Sequence, residues 1–155
     1  MGFLKSMDIS ASALTAQRLR MDVISENLAN MDATRTAEGG PYRRKMVVFN
    51  STGIENTFEN SLFNKIFTST YEEINAKGVN RGVEVAEIVE DQEPFKMVYN
   101  PTHPDADENG YVAMPNVDSL KETVDMMEAY RAYQSNITAL NSIKQMAMKA
   151  LEIGR

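Results

Sequence analysis

Apolar residues follow two rhythms along this chain: steps of three and four at both ends, and short alternating runs between them. From Asn116 to Ile153 there is neither glycine nor proline. Over that stretch Val117, Leu120, Val124, Met127, Tyr130, Ile137, Leu140, Ala147 and Leu151 recur at a spacing that gathers them on one helical face. A helix of that length measures roughly 55 Å at about 1.5 Å per residue. A compact chain of this size has a diameter of about 40 Å. The helix outruns the body it would pack against, so much of its stripe needs cover from elsewhere.

The stretch from Phe3 to about Met31 reads as a second long helix. Met7, Leu14, Met21 and Leu28 fall at every seventh position, flanked by Leu4, Ala11, Ile24 and Met31. That is nearer a coiled-coil seam than the wide stripe of a globular helix, although Arg18 and Ser25 interrupt its second row. If the middle folds back, the two helices meet as an antiparallel pair. Met126, Tyr133, Ile143, Met146 and Met148 lie off the C-terminal seam. Leaving such side chains wet costs about 1.5–3 kcal/mol each, so neighbouring chains are expected to cover them. The expected assembly interface is Leu4, Met7, Leu14, Met21, Ile24 and Leu28 on the first helix. On the second it is Leu120, Val124, Met127, Tyr130, Ile137, Leu140 and Leu151.

Between the helices the pattern changes. Residues 32–45 form a polar connector in which Gly39-Gly40-Pro41 stops helix and sets an extended exit. Met46–Phe49, Val83–Glu90, Phe95–Tyr99 and Tyr111–Met114 read as short strands, and residues 51–80 as a loop with a short helix. Asn116 is placed to cap the long helix. The expected fold is mainly α with a small β-rich middle: long N- and C-terminal helices as an antiparallel coiled-coil-like pair, plus a compact β body. The expected segments are an N-terminal axial helix (1–31), a linker and β-rich body (32–115) and a C-terminal axial helix (116–155).

Charge sharpens this picture. The net charge is −6, and residues 81–115 alone carry two basic and eight acidic residues, while both ends are neutral. Neutral striped ends suit packing against like copies. An acidic body argues against nucleic acid. No run is long and apolar enough for a membrane span, and the start lacks the pattern of a cleaved signal peptide. There is no cysteine, which removes disulfides, thiolate metal sites and thiol nucleophiles together.

Candidate chemistry is sparse. Asp105-Ala106-Asp107-Glu108-Asn109-Gly110 matches the first half of a calcium loop, but the twelfth position, which needs a bidentate glutamate, is Asn116. An acidic turn is the plainer reading. His103 is the lone histidine and has no companion motif for catalysis. Arg43-Arg44-Lys45 reads as a salt-bridging surface facing the acidic 81–115 segment of another copy. On that expectation, charge reversal at Arg43 and Arg44 impairs assembly and spares the fold. No catalytic residue, metal or cofactor is expected.

Several blocks carry a specific resemblance. Ser12-Ala13-Leu14-Thr15-Ala16-Gln17-Arg18-Leu19-Arg20-Met21 runs into Glu26-Asn27-Leu28-Ala29-Asn30 and Thr34. Glu38-Gly39-Gly40-Pro41-Tyr42-Arg43-Arg44-Lys45, His103-Pro104-Asp105-Ala106-Asp107, Gly110-Tyr111-Val112 and Pro115-Asn116-Val117 follow. The last block is Met127-Glu128-Ala129-Tyr130-Arg131-Ala132-Tyr133-Gln134-Ser135-Asn136 through Ala150-Leu151. Together these resemble the bacterial flagellar rod and hook axial proteins over about two thirds of the chain. Asn27, Asn30, Thr34, Gly39, Gly40, Pro41 and Tyr42 are the motif positions. The resemblance implies a non-enzymatic subunit of the basal-body rod that stacks helically with itself and other rod proteins. It implies a drive shaft that carries torque for motility, in the extracytoplasmic, periplasmic rod. It also implies passage through the flagellar type III export apparatus without a cleaved signal peptide, and no membrane insertion. A soluble helical adaptor or chaperone, or a small calcium module, are the other readings the residues allow.

Overall fold

The computed structural model describes residues 3–37, 39–53 and 81–153. The expected short helix within 51–80 lies largely outside them. The chain is mainly helical with a small β region between its helices. Helix α1 is Phe3–Ala29, β1 Lys45–Gly53, β2 Arg81–Glu90, β3 Lys96–Tyr99, β4 Tyr111–Met114 and α2 Ser119–Ile153. β1 pairs with β2 and β3 with β4, as two separate two-stranded sheets.

Two compact units emerge. One holds residues 1–16, 49–84 and 135–155; the other holds 17–48 and 85–134. Each takes part of both long helices and part of the segment between them.

In the first unit α1 places Ser10 and Ala16 in the interior. Its hydroxyls are used up locally: Ser10 Oγ donates to the Ser6 carbonyl at 3.2 Å and Ser12 Oγ to the Ile9 carbonyl at 2.8 Å. Ser12 Oγ also accepts from the Val83 N–H at 3.2 Å, which ties β2 to the helix. Bonding back to the preceding turn lets serine sit inside a helix without an orphaned hydroxyl.

The second unit has Val23, Ile24, Tyr42, Val112, Val117 and Ala129 as its apolar core. Arg20 pairs with Asp125 at 3.6 Å and Asn27 with Glu122 at 3.0 Å. Rising numbers on α1 meet falling numbers on α2, so the helices run antiparallel here. α1 ends where Asn30 Nδ2 and the Asn30 N–H both bond the Glu26 carbonyl, at 2.9 and 3.1 Å. The connector then closes on itself. Thr36 N–H bonds the Gly40 carbonyl at 2.9 Å and Tyr42 N–H the Ala33 carbonyl at 3.0 Å. Gly39 and Gly40 make that turn with φ of 89° and 82°, a region that a side chain disfavours.

The start of α2 differs from expectation. It is Asp118, not Asn116, that caps the helix: Asp118 Oδ1 accepts the Leu120 N–H at 3.0 Å. Asn116 lies two residues earlier and is buried, with its amide bonded to the residue before β1 and to the turn after β2. The antiparallel β3–β4 ribbon sets Lys96 opposite Met114 and Tyr99 opposite Tyr111. The two tyrosine rings meet edge to face at 5.3 Å. Gly110 closes the ribbon at φ 78°, and a Cβ there would lie 2.9 Å from Tyr99 Cε2.

Candidate functional site

The second unit's interior is organised by polar groups. Glu122 is 0% exposed and Asn27 1%, with Tyr42, Arg44 and Asn116 also buried. Side chains of this kind are rarely buried unless every donor and acceptor is met, and here they are met by one another.

Asn27 stands on the inward face of α1 and uses its whole amide. Oδ1 accepts from Tyr42 Oη at 3.0 Å and from the Lys45 N–H at 2.9 Å. Nδ2 donates to the Lys45 carbonyl at 2.9 Å and to Glu122 Oε2 at 3.0 Å. The side-chain amide thus treats Lys45 as a strand would, bonding both its N–H and its C=O. That docks the first residue of β1 against α1.

Arg44 precedes it and points the other way, into three carboxylates. Nε donates to Glu122 Oε1 at 2.6 Å; Nη2 lies 3.3 Å from Asp125 Oδ2 and Nη1 3.5 Å from Asp91 Oδ2. Its backbone is held as firmly. The Arg44 N–H donates to Asn116 Oδ1 at 2.9 Å, and the Arg44 carbonyl accepts from the Asp91 N–H at 2.8 Å. Asn116 Nδ2 reaches on to the Asp91 and Glu93 carbonyls at 3.4 and 3.3 Å. α1, the connector, the turn after β2 and the start of α2 therefore meet at one joint.

The electrostatics follow. Burial alone would lower the Arg44 pKa. The hydrogen bond and charge of Glu122, joined by Asp91 and Asp125, more than offset this and hold it above its ordinary value. The Tyr42 hydroxyl is pushed up to about 12, first by burial and then by the charges of Glu26, Glu122 and Glu90. Both groups keep one protonation state through the physiological range. The joint binds segments of the chain to one another.

These contacts overturn the surface reading of Arg43-Arg44-Lys45. Arg44 meets the acidic segment of its own chain, at Asp91, inside the fold. Arg43 lies 4.5 Å over the Phe95 ring and donates to the Asp91 carbonyl at 3.0 Å. Lys45 Nζ bonds Glu26 at 2.6 Å. Charge reversal at Arg44 would therefore strike the fold itself.

Of the motif positions, Asn27 and Tyr42 stand in the joint, Asn30 closes α1, and Gly39 and Gly40 shape the connector. Thr34 Oγ1 donates to Asp105 Oδ2 at 2.9 Å, and Arg35 pairs with Asp105 at 3.4 Å. That commits the first carboxylate of the calcium-like stretch to protein groups. Among the described residues no cluster of three or more acidic or histidine side chains could hold a metal. His103 Nδ1 accepts the Asp105 N–H at 3.2 Å, a local turn contact.

On the helices, Ile24 is buried and Met7, Leu14, Met21, Leu28 and Leu140 are half-buried, while the Leu4 side chain is outside the described set. Leu120, Val124, Met127, Tyr130, Ile137 and Leu151 are exposed, Leu120 at 74% and Leu151 at 76%. Met126, Tyr133 and Ile143, expected to need cover from other chains, instead lie half-buried on the row with Glu122 and Ala129. Met146 and Met148 are exposed. Sequence reading missed Glu122 as the anchor. Its signal was there: a glutamate in step with Met126, Ala129 and Tyr133 sits on an inward row.

Comparison with known proteins gives a consistent result. A family profile described as "Flagella basal body rod protein" matches residues 7–35, and one described as "Flagellar basal body rod FlgEFG protein C-terminal" matches residues 108–153. The chain is similar to the flagellar basal-body rod protein FlgC of Bacillus subtilis, 51% identical over 97% of both chains. It is 42% identical to FlgC of Borreliella burgdorferi over 99% of this chain and 98% of that one. It is 42% identical to FlgC of Salmonella typhimurium over the full length of both.

Proposed function

We propose, from the premise that the chain belongs to the flagellar basal-body rod protein family, that it stacks helically with copies of itself and other rod proteins to form a torque-carrying shaft. The chain is a structural subunit of the flagellar basal-body rod. In our reading it reaches the periplasmic part of the rod through the flagellar type III export apparatus, without losing a signal peptide. Its contacts to neighbours run along the helices.

The observation that supports this most is the outward row of α2. Leu120, Met127, Tyr130, Ile137, Met148 and Leu151 all stand exposed, in steps of three, seven and eleven that keep them on one helical face. Covering each large side chain stabilises an assembly by about 1.5–3 kcal/mol, so the row favours association while the inward row serves the chain's own fold. Subunits stabilised by binding their neighbours gain order as they assemble.

The test is substitution of the outward row by glutamate, Leu120→Glu with Met127→Glu, in a cell whose own copy is replaced. The expected result is unchanged circular dichroism of the purified chain, absence from isolated basal bodies and loss of swimming. Normal incorporation of this variant into basal bodies would end the reading of that row as an interface.

A further inference from the structure

We propose that Asn109-Gly110 is a site of spontaneous deamidation, and that closure of its turn holds the reaction in check. This goes beyond the rod reading and does not depend on it. The pair ends the Asp105–Gly110 stretch that matches half a calcium loop. The first carboxylate of that stretch is committed to Thr34 and Arg35; its last two residues carry a different chemistry. Every other asparagine of the chain is followed by a residue with a side chain. Glycine has no Cβ to hold its amide nitrogen away from the side chain before it. Asn109 is exposed, so water reaches its carboxamide.

The reaction needs no partner but water. The Gly110 nitrogen attacks Asn109 Cγ and gives up its proton. The new C–N bond closes a succinimide ring, the Cγ–Nδ2 bond breaks, and ammonia leaves with that proton. Water then opens the ring on one of two sides. Addition at Cγ breaks the new bond and leaves aspartate in an unaltered main chain. Addition at the Asn109 main-chain carbonyl carbon breaks the original peptide bond and leaves isoaspartate, with the chain rerouted through Cβ and Cγ. Nothing is oxidised or reduced.

The folded turn opposes the first step. Gly110 N–H donates to the Asp107 carbonyl at 2.8 Å, and the Gly110 carbonyl accepts from the Asn100 N–H at 2.9 Å. The Asp107 N–H closes the other side, on the Tyr111 carbonyl at 2.8 Å. Ring closure consumes the Gly110 N–H and so breaks its bond to Asp107. The turn must open first, a local event that falls short of global unfolding. Holding that one hydrogen bond slows the reaction by about tenfold. The two products differ in consequence. Aspartate keeps the backbone and adds a negative charge beside Asp107 and Glu108. Isoaspartate inserts a methylene ahead of Gly110, where there is no slack. A Cβ on Gly110 would already lie 2.9 Å from Tyr99 Cε2 and 3.2 Å from Pro101 Cβ. The insertion therefore shifts Gly110 off Asn100 and spoils the alignment of Tyr99 with Tyr111.

The test incubates the purified full chain in mildly alkaline buffer, folded in one arm and unfolded by guanidinium in the other. Peptide mass spectrometry follows each asparagine with time. An isoaspartyl methyltransferase with labelled S-adenosylmethionine reads the isoaspartate. The expected result is that Asn109 converts first of all the asparagines in guanidinium. In the folded arm the same conversion runs about tenfold slower. Asn109→Gln, whose longer side chain closes a ring far less readily, should lose the methyl label in both arms. Another asparagine converting ahead of Asn109 in guanidinium would overturn the site. A methyl label that persists undiminished in Asn109→Gln would overturn it as well. Equal rates for Asn109 in the two arms would overturn the control by the turn.

Discussion

Asn27 donates to Glu122 across 95 positions of sequence, with both side chains sealed from water. The bond links the last turns of α1 to the first turn of α2, and Glu122 passes the link on to Arg44 at 2.6 Å. Neither residue could be buried alone.

Removing one member of this buried ion pair is therefore expected to be severe. Glu122→Ala should lower unfolding free energy by about 3–5 kcal/mol, because Arg44 keeps its charge and loses its closest anion. The double variant Arg44→Met/Glu122→Leu should cost less than Glu122→Ala, since no buried cation is stranded. Urea unfolding of the full chain followed by circular dichroism checks both values. A double variant worse than the single one would mean that Arg44 is held mainly by Asp91 and Asp125.

Tyr42 gives the joint a pH limit. Its hydroxyl titrates at 10.0 in the unfolded chain and near 12 when folded. A folded value above the unfolded one means that the stability Tyr42 contributes is complete below pH 10 and drains away as pH rises toward 12. Tyr42→Phe leaves one lone pair of Asn27 Oδ1 unmet and should cost about 1–3 kcal/mol at pH 7. The gap between the two proteins should close between pH 10 and 12, in step with tyrosinate absorbance. A gap that stays constant across that window would show that the hydroxyl is not the group responsible.

Glycine matters for two separable reasons. Gly39→Ala meets open space and only the left-handed backbone opposes it, for about 1–2 kcal/mol. Gly110→Ala meets the same backbone penalty and also the Tyr99 ring at 2.9 Å. It should cost more than Gly39→Ala, and adding Tyr99→Ala should recover part of the excess in a double-mutant cycle, the contact with Pro101 Cβ at 3.2 Å remaining. Equal costs at the two glycines would show that the ring moves aside freely.

Asp118 should behave as a helix cap. Asp118→Ala should lose about 0.5–2 kcal/mol, the usual range for an N-cap, whereas Asp118→Asn should lose little. Asn116→Ala should cost more than Asp118→Ala, because it strands the Arg44 N–H inside the protein. The reverse ranking would return the cap to Asn116.

Both helices were legible in the sequence because neither contains glycine or proline and both keep a three-and-four rhythm. The strand at Val83–Glu90 was legible from alternation, and Tyr111–Met114 as one more short strand. Which row of α2 faces inward was not. The helix carries two apolar rows, and the inward one begins with Glu122, which reads as a surface residue until Arg44 and Asn27 are placed beside it. Arg44 was obscured by its neighbours: three consecutive cations look like a solvated patch, yet alternate residues of an extended segment point to opposite sides. Asn116 was misassigned because it and Asp118 are equally good caps by type, and only the Arg44 N–H distinguishes them.

Contacts between greasy surfaces are tolerant of sliding, since one ridge of methyl groups fits the next groove almost as well. The Asn27–Glu122–Arg44 knot has no such neighbouring solution, because its amide, carboxylate and guanidinium are each matched in direction as well as distance. Within the second unit, a sideways shift of one segment would therefore break every bond of the knot together and gain none in return.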